Sequence, residues 1–370
     1  MFFSFLFYCI VSIGDNMNND ELFNGMKDIL SSDKTSSDTF DKLKDLDTSS
    51  DIDNSNANLI DVVNPKNIFE IRDALEMLRE LEMSKDDYSN KDKINEIRSF
   101  LLAGIVLDEI PYHDEFIHEI SSFLSNNGIS SDFVLDNLKD MEGHVLPVEY
   151  LVGGKAQALR NHIDLELDFF DYDEEGKVIG VSEEKRELYR HVVVHEFFHK
   201  LSSYKNGHRD VMVFGDALLE GFTDYFTKRV LNDSIESDLY GLPVKVCDLF
   251  TEIIGIDKTL DDYINNTGEF PNLKNLFGEC GIDHNGFMEF SSCLSSVISG
   301  VNRDKKTDLP KSEWGRDEKV SSLDFLRENI VIPYCRNNPD KAESILNKFN
   351  NLFNDMGYSC SMEDVKSTKK

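Results

Sequence analysis

No two of the six cysteines (Cys9, Cys247, Cys280, Cys293, Cys335, Cys360) form a C-x-x-C pair, which leaves no thiolate zinc site or redox motif to read. Six in 370 residues is also too sparse for a disulfide framework, so they read as ordinary, mostly buried thiols. No run of 18 apolar residues exists, and with it goes a conventional membrane-spanning helix. Basic charge is scarce: 39 Lys and Arg against 70 Asp and Glu give a net charge of −31. Apart from the short tail 366–370 there is no basic patch, so phosphate backbones and anionic lipid surfaces are expected to be poor partners. Substrates that are neutral or cationic suit this field better than acidic ones. What is present is 40% hydrophobic and 11% aromatic residues, enough for a sizeable core, in a chain long enough for one large or two ordinary domains.

The chain divides by composition. Phe2 to Ile13 is the one hydrophobic run. It has the length of a signal peptide but lacks the basic start and the small-residue cleavage pattern. Two readings stand: an atypical export signal within 1–14, or a cytoplasmic protein whose translation starts at Met17. Residues 1–64 together are expected to be a flexible leader, because Asp, Asn, Ser and Lys dominate and bury too little to repay ordering entropy. From 65 to 140 apolar residues recur at helical spacing, as in Ile68, Ile71, Leu75, Leu78 and Leu81, and the Pro111 and Asn127-Gly128 breaks separate successive helices. The period then shortens. Ile163, Leu165, Leu167 and Phe169 alternate with acids, the pattern of a strand with one wet face. Lys177 to Val181 is expected to pair with it across the acidic turn Asp171 to Gly176, forming a hairpin. That turn carries acids at the first positions of a calcium loop, but Ser182 stands where a Glu is required, so it reads as a plain turn. After Glu183 helical periodicity returns. Residues 141–360 form the expected catalytic domain and 361–370 a flexible tail.

Chemistry concentrates in His195-Glu196-Phe197-Phe198-His199. Residues four apart share a helix face, so two imidazoles can grip one ion, and Glu196, about 100° round, reaches the edge of the same site as a proton acceptor. Val192 to Val194, Phe197, Phe198 and Leu201 make the helix apolar on most sides, which leaves the histidines needing partners. Asp216 to Thr227 is a second helical stretch, in which Glu220, separated from His199 by 20 residues, offers a third ligand. Asp224 lies one turn on, able to accept a ring N–H from a ligand histidine. His191 extends the same face and is expected at the rim or against a carboxylate. His113 and His118, five apart, read as ordinary residues.

This pair of segments resembles the gluzincin class of zinc metallopeptidases, the group that includes thermolysin. The resemblance covers His195 to Thr227 closely and, more loosely, the order of strands, active-site helix and following helical lobe. It implies a mostly helical α+β fold: a zincin-like catalytic unit with a small antiparallel sheet and a C-terminal helical lobe. It implies one zinc ion per chain held by His195, His199 and Glu220, with Glu196 as the base that activates the zinc-bound water and Asp224 orienting His195. The implied activity is peptide-bond hydrolysis on peptide or protein substrates. An edge strand, expected at Lys177 to Val181, would hold extended substrate by main-chain bonds. One further oxyanion donor is needed, with His208, Tyr225, Tyr240, Tyr263 and His284 as candidates. The alternative to an enzyme is a non-catalytic zinc-bearing or metal-free helical interaction module.

Overall fold

The structure, a computed structural model, describes residues 64–83, 91–147, 154–157, 161–203, 216–232, 235, 240–265, 269–307 and 309–367. The hydrophobic run, the leader and His208 lie outside them. The described residues belong to one compact unit spanning 62–370. Residues on both sides of position 141 share one hydrophobic core.

Helices α1 (Ile68–Met83), α2 (Lys91–Ala103), α3 (His113–Asn126) and α4 (Ser131–Leu138) account for the helical N-terminal region. Strands β1 (Ile105–Val106), β2 (Glu142–Leu146), β3 (Gly154–Gln157) and β4 (His162–Glu166) make a four-stranded sheet of order β1-β2-β4-β3. The β1–β2 and β3–β4 pairings are antiparallel and β2–β4 is parallel. A separate two-stranded ribbon joins β5 (Phe170–Tyr172) to β6 (Val178–Val181).

The expected hairpin therefore needs correcting. The alternating run does not continue to Phe169, because Leu167–Phe169 tightens into a 3₁₀ turn and the chain restarts as β5. The acidic turn is where it was expected, closed by the Asp173 carboxylate, which accepts from the amides of Glu175 and Lys177 at 2.9 Å. β4 instead takes main-chain partners on both sides, β2 and β3. It also has no wet face, since His162 and Asp164 are buried along with Ile163 and Leu165. The expected edge strand falls on β6, in the two-stranded ribbon, while β3, an outer strand of the larger sheet, packs on the helix that carries the histidines.

The remainder is helical, as expected: α5 (Arg186–Ser203), α6 (Asp216–Leu231), α7 (Gly241–Ile254), α8 (Ile256–Leu260), α9 (Pro271–Glu279), α10 (His284–Asp304), α11 (Arg316–Phe325), α12 (Ile332–Asn337), α13 (Ala342–Phe353) and α14 (Met362–Lys366). Between α11 and α12 the helix widens into a π segment, Leu326–Val331, just before Pro333, which lacks the amide that a regular α-helix needs there. Part of the expected tail is ordered: Ser361 and Asp364 form a reciprocal capping box on α14, and Val365 is buried. Among the described residues no helix is long and apolar enough to cross a membrane.

Helix α5 crosses the core. Tyr189, Val193, Phe197 and Leu201 form one fully buried stripe at four-residue spacing, with Val194 and Phe198 beside it. Burial of these side chains outweighs the modest helix propensity of the Val192 to Val194 run. Arg190 clamps α5 to α3, donating to the carboxylates of Glu115 at 2.5 Å and Glu119 at 2.9 Å while covering the Phe116 ring.

Candidate metal centre

Three side chains from α5 and α6 converge. His195 Nε2 and His199 Nε2 lie 3.1 Å apart, and each is 3.2 Å from Glu220 Oε2. The two rings stand edge to face at 75°. A tetrahedral zinc with bonds of about 2.0–2.1 Å sets its ligand atoms about 3.3–3.4 Å apart. The observed triangle fits that ion and leaves one position unfilled by these three ligands. Glu196 is outside the triangle, buried on the adjoining strip of α5.

Electrostatics favours the charged forms of His195 and Glu220. Burial works against a charged His195, but hydrogen bonds to Asp224 and Glu220 outweigh it and raise the pKa to about 10. Burial likewise penalises the Glu220 carboxylate, yet the adjacent His199 and His195 keep it well below the usual carboxylate range. Protons and a metal thus compete for the same ring nitrogens.

Asp224, expected to orient His195, meets two histidines. Its Oδ1 is 2.7 Å from His191 Nε2 and 3.7 Å from His195 Nδ1, so His191 is its nearer partner. Lys228 Nζ sits 3.3 Å from Oδ2. Burial again opposes the charge, and His191 first, then His195, hold Asp224 ionised. His191 meets a carboxylate, one of the two fates its position suggested.

Two neighbours of the ligands escaped the sequence reading. A Cβ on Gly221 would lie 2.9 Å from Cys247 Sγ and from the carbonyl carbon and oxygen of Pro243, so α6 can approach α7 this closely, with Glu220 in place, only with glycine there. Thr223 meets the Tyr263 hydroxyl at 2.7 Å and donates to the Leu219 carbonyl. An E-G-x-T-D run was visible, but the closeness of α7 was not. Of the candidate oxyanion donors, Tyr240 comes to the ligands, its ring 6.1 Å from that of His195 and nearly parallel. Tyr263 is buried in the packing behind α6, Tyr225 is buried beside Arg229, and His284 is exposed at the start of α10. His113 is structural, bonded to the Leu138 carbonyl and edge-on to Phe197.

Compared with protein-family models, curated proteins and solved structures, the chain matches none.

Proposed function

We propose that this chain is a zinc-dependent peptidase, with one catalytic ion held by His195, His199 and Glu220. The observation that carries the reading is the 3.1–3.2 Å triangle of two imidazole nitrogens and one carboxylate oxygen, contributed by two helices. A closed structural site takes four protein ligands, and a three-ligand set favours catalysis over a mere tie between helices. Bound there, zinc supplies a Lewis acid that polarises a carbonyl and brings the pKa of a coordinated water toward neutrality.

The chain's own residues supply the rest. Glu196 accepts the proton of the attacking water as the new C–O bond forms at the scissile carbonyl carbon. It then delivers that proton to the leaving nitrogen as the C–N bond breaks. Tyr240, stacked beside His195, is the donor we assign to the developing oxyanion. Among the described residues strand β3 pairs on one side only, and an extended peptide adds to such an edge through main-chain hydrogen bonds. The net charge of −31 disfavours acidic peptides.

The test is a peptide-library digest with the purified chain, run with and without 1,10-phenanthroline and followed by zinc restoration. Cleavage lost with the chelator and recovered with zinc is expected. A zinc-loaded, folded chain that cleaves no peptide refutes the proposal.

A further inference from the structure

The polar face of the four-stranded sheet carries a second set of ligand-type side chains that the peptidase reading leaves unused. Alternation along the strands puts Val145, Ile163 and Leu165 on the core face, all fully buried, and turns His144, His162 and Asp164 to the opposite face. The parallel register sets His144 beside Asp164, and Glu142 beside His162. Although this is not the core face, His162 and Asp164 are only 8% and 5% exposed. His162 Nε2 is 3.2 Å from Asp164 Oδ1, and ligand atoms of all three residues lie within 4.8 Å of one another. His144 Nε2 is sealed from solvent and makes no hydrogen bond. A carboxylate oxygen, Glu142 Oε2, lies 3.8 Å from it. A buried polar atom left without a partner is destabilising, and a cation between these groups supplies one.

We infer that His144, His162 and Asp164 form a binding site for a divalent transition-metal ion, independent of the His195 centre. Two imidazole nitrogens with carboxylate oxygens favour zinc or its neighbours over calcium or magnesium, which prefer all-oxygen sets. The His144 and His162 rings are stacked 4.4 Å apart at 10°, and since a ring nitrogen's lone pair lies in the ring plane, the two cannot both point at one ion as placed. Capture therefore involves a turn of the His144 ring about its Cβ–Cγ bond. Its ligands come from both strands, so a bound ion pins β2 to β4, the strand on which the edge strand β3 rests.

The experiment measures bound metal by elemental analysis after zinc loading and gel filtration, in four chains: wild type, His144→Phe, Asp164→Asn and the His195→Ala, His199→Ala double variant. His144→Phe keeps a ring on His162 and Asp164→Asn keeps the volume, and circular dichroism identifies the folded chains. The expected result is two ions in wild type and one in each of the others. A folded His144→Phe or Asp164→Asn chain that retains the wild-type count overturns the inference. Failure of the peptidase reading looks different: the double variant would keep every wild-type ion while the sheet variants lost theirs.

Discussion

Replacing Glu196 with Gln separates catalysis from metal binding. The helix advances about 100° per residue, so Glu196 lies about 100° from His195 and about 60° from His199, off the strip that carries the ligand nitrogens. The triangle of His195, His199 and Glu220 closes at 3.1–3.2 Å without it. Gln has the shape of Glu, so this buried position keeps its packing while losing the ability to take a proton. A positioned general base contributes roughly 10²–10⁴-fold, equivalent to about 2.7–5.4 kcal/mol of transition-state stabilisation. The expectation is thus a kcat lower by roughly 10²–10⁴ at unchanged zinc content. The assay is cleavage of a quenched fluorescent peptide, with zinc stoichiometry measured on the same sample. Turnover within threefold of wild type would refute the proton-transfer role, and loss of zinc from His195 and His199 would show that Glu196 belongs among the ligands.

Three further outcomes follow from the packing around the site. His191→Phe keeps a ring against its neighbours but removes the 2.7 Å partner of Asp224, and zinc affinity by chelator competition should fall roughly 10–100-fold. An unchanged affinity would remove His191 from the support of His195. Gly221→Ala places a methyl 2.9 Å from the Pro243 backbone and should destabilise by about 1–3 kcal/mol in urea unfolding. Gly278→Ala in α9 meets nothing within 4 Å and should stabilise by about 0.5–1 kcal/mol, so equal effects at the two sites would contradict the close approach. Stability should also decline in alkali. Burial pushes the Cys280 and Cys335 thiols up to about 12 from an ordinary 9.0, and raises the Tyr189 and Tyr263 phenols above 10.0. Below pH 9 both folded and unfolded chains hold these protons. Above it the unfolded chain releases them first, so stability is lost as pH rises toward 12. Urea midpoints that stay level across that range would count against it.

The two helices that carry the clustered histidines and acids were legible because their signal is local. His195 and His199 at i and i+4, and Glu220 and Asp224 at the same spacing, share helix faces whatever the rest of the chain does. The apolar stripe of Tyr189, Val193, Phe197 and Leu201 likewise announced a buried helix. Strand partners were harder. The run from Ile163 to Phe169 has period two throughout, and nothing in it reveals the 3₁₀ turn at Leu167–Phe169 that breaks it in two.

The sequence by itself determined where the helices carrying the histidines and acids would form and which residues on each would share a face, since backbone geometry within one helix depends on neighbours three or four residues away. The tertiary structure alone decided that β3 rather than β6 borders α5, that Asp224 is nearer His191 than His195, that Gly221 touches α7, and that His144 stacks on His162. Each of these joins residues on different elements. Their contact is set by shape complementarity and sheet register across the whole core, terms that no local spacing encodes.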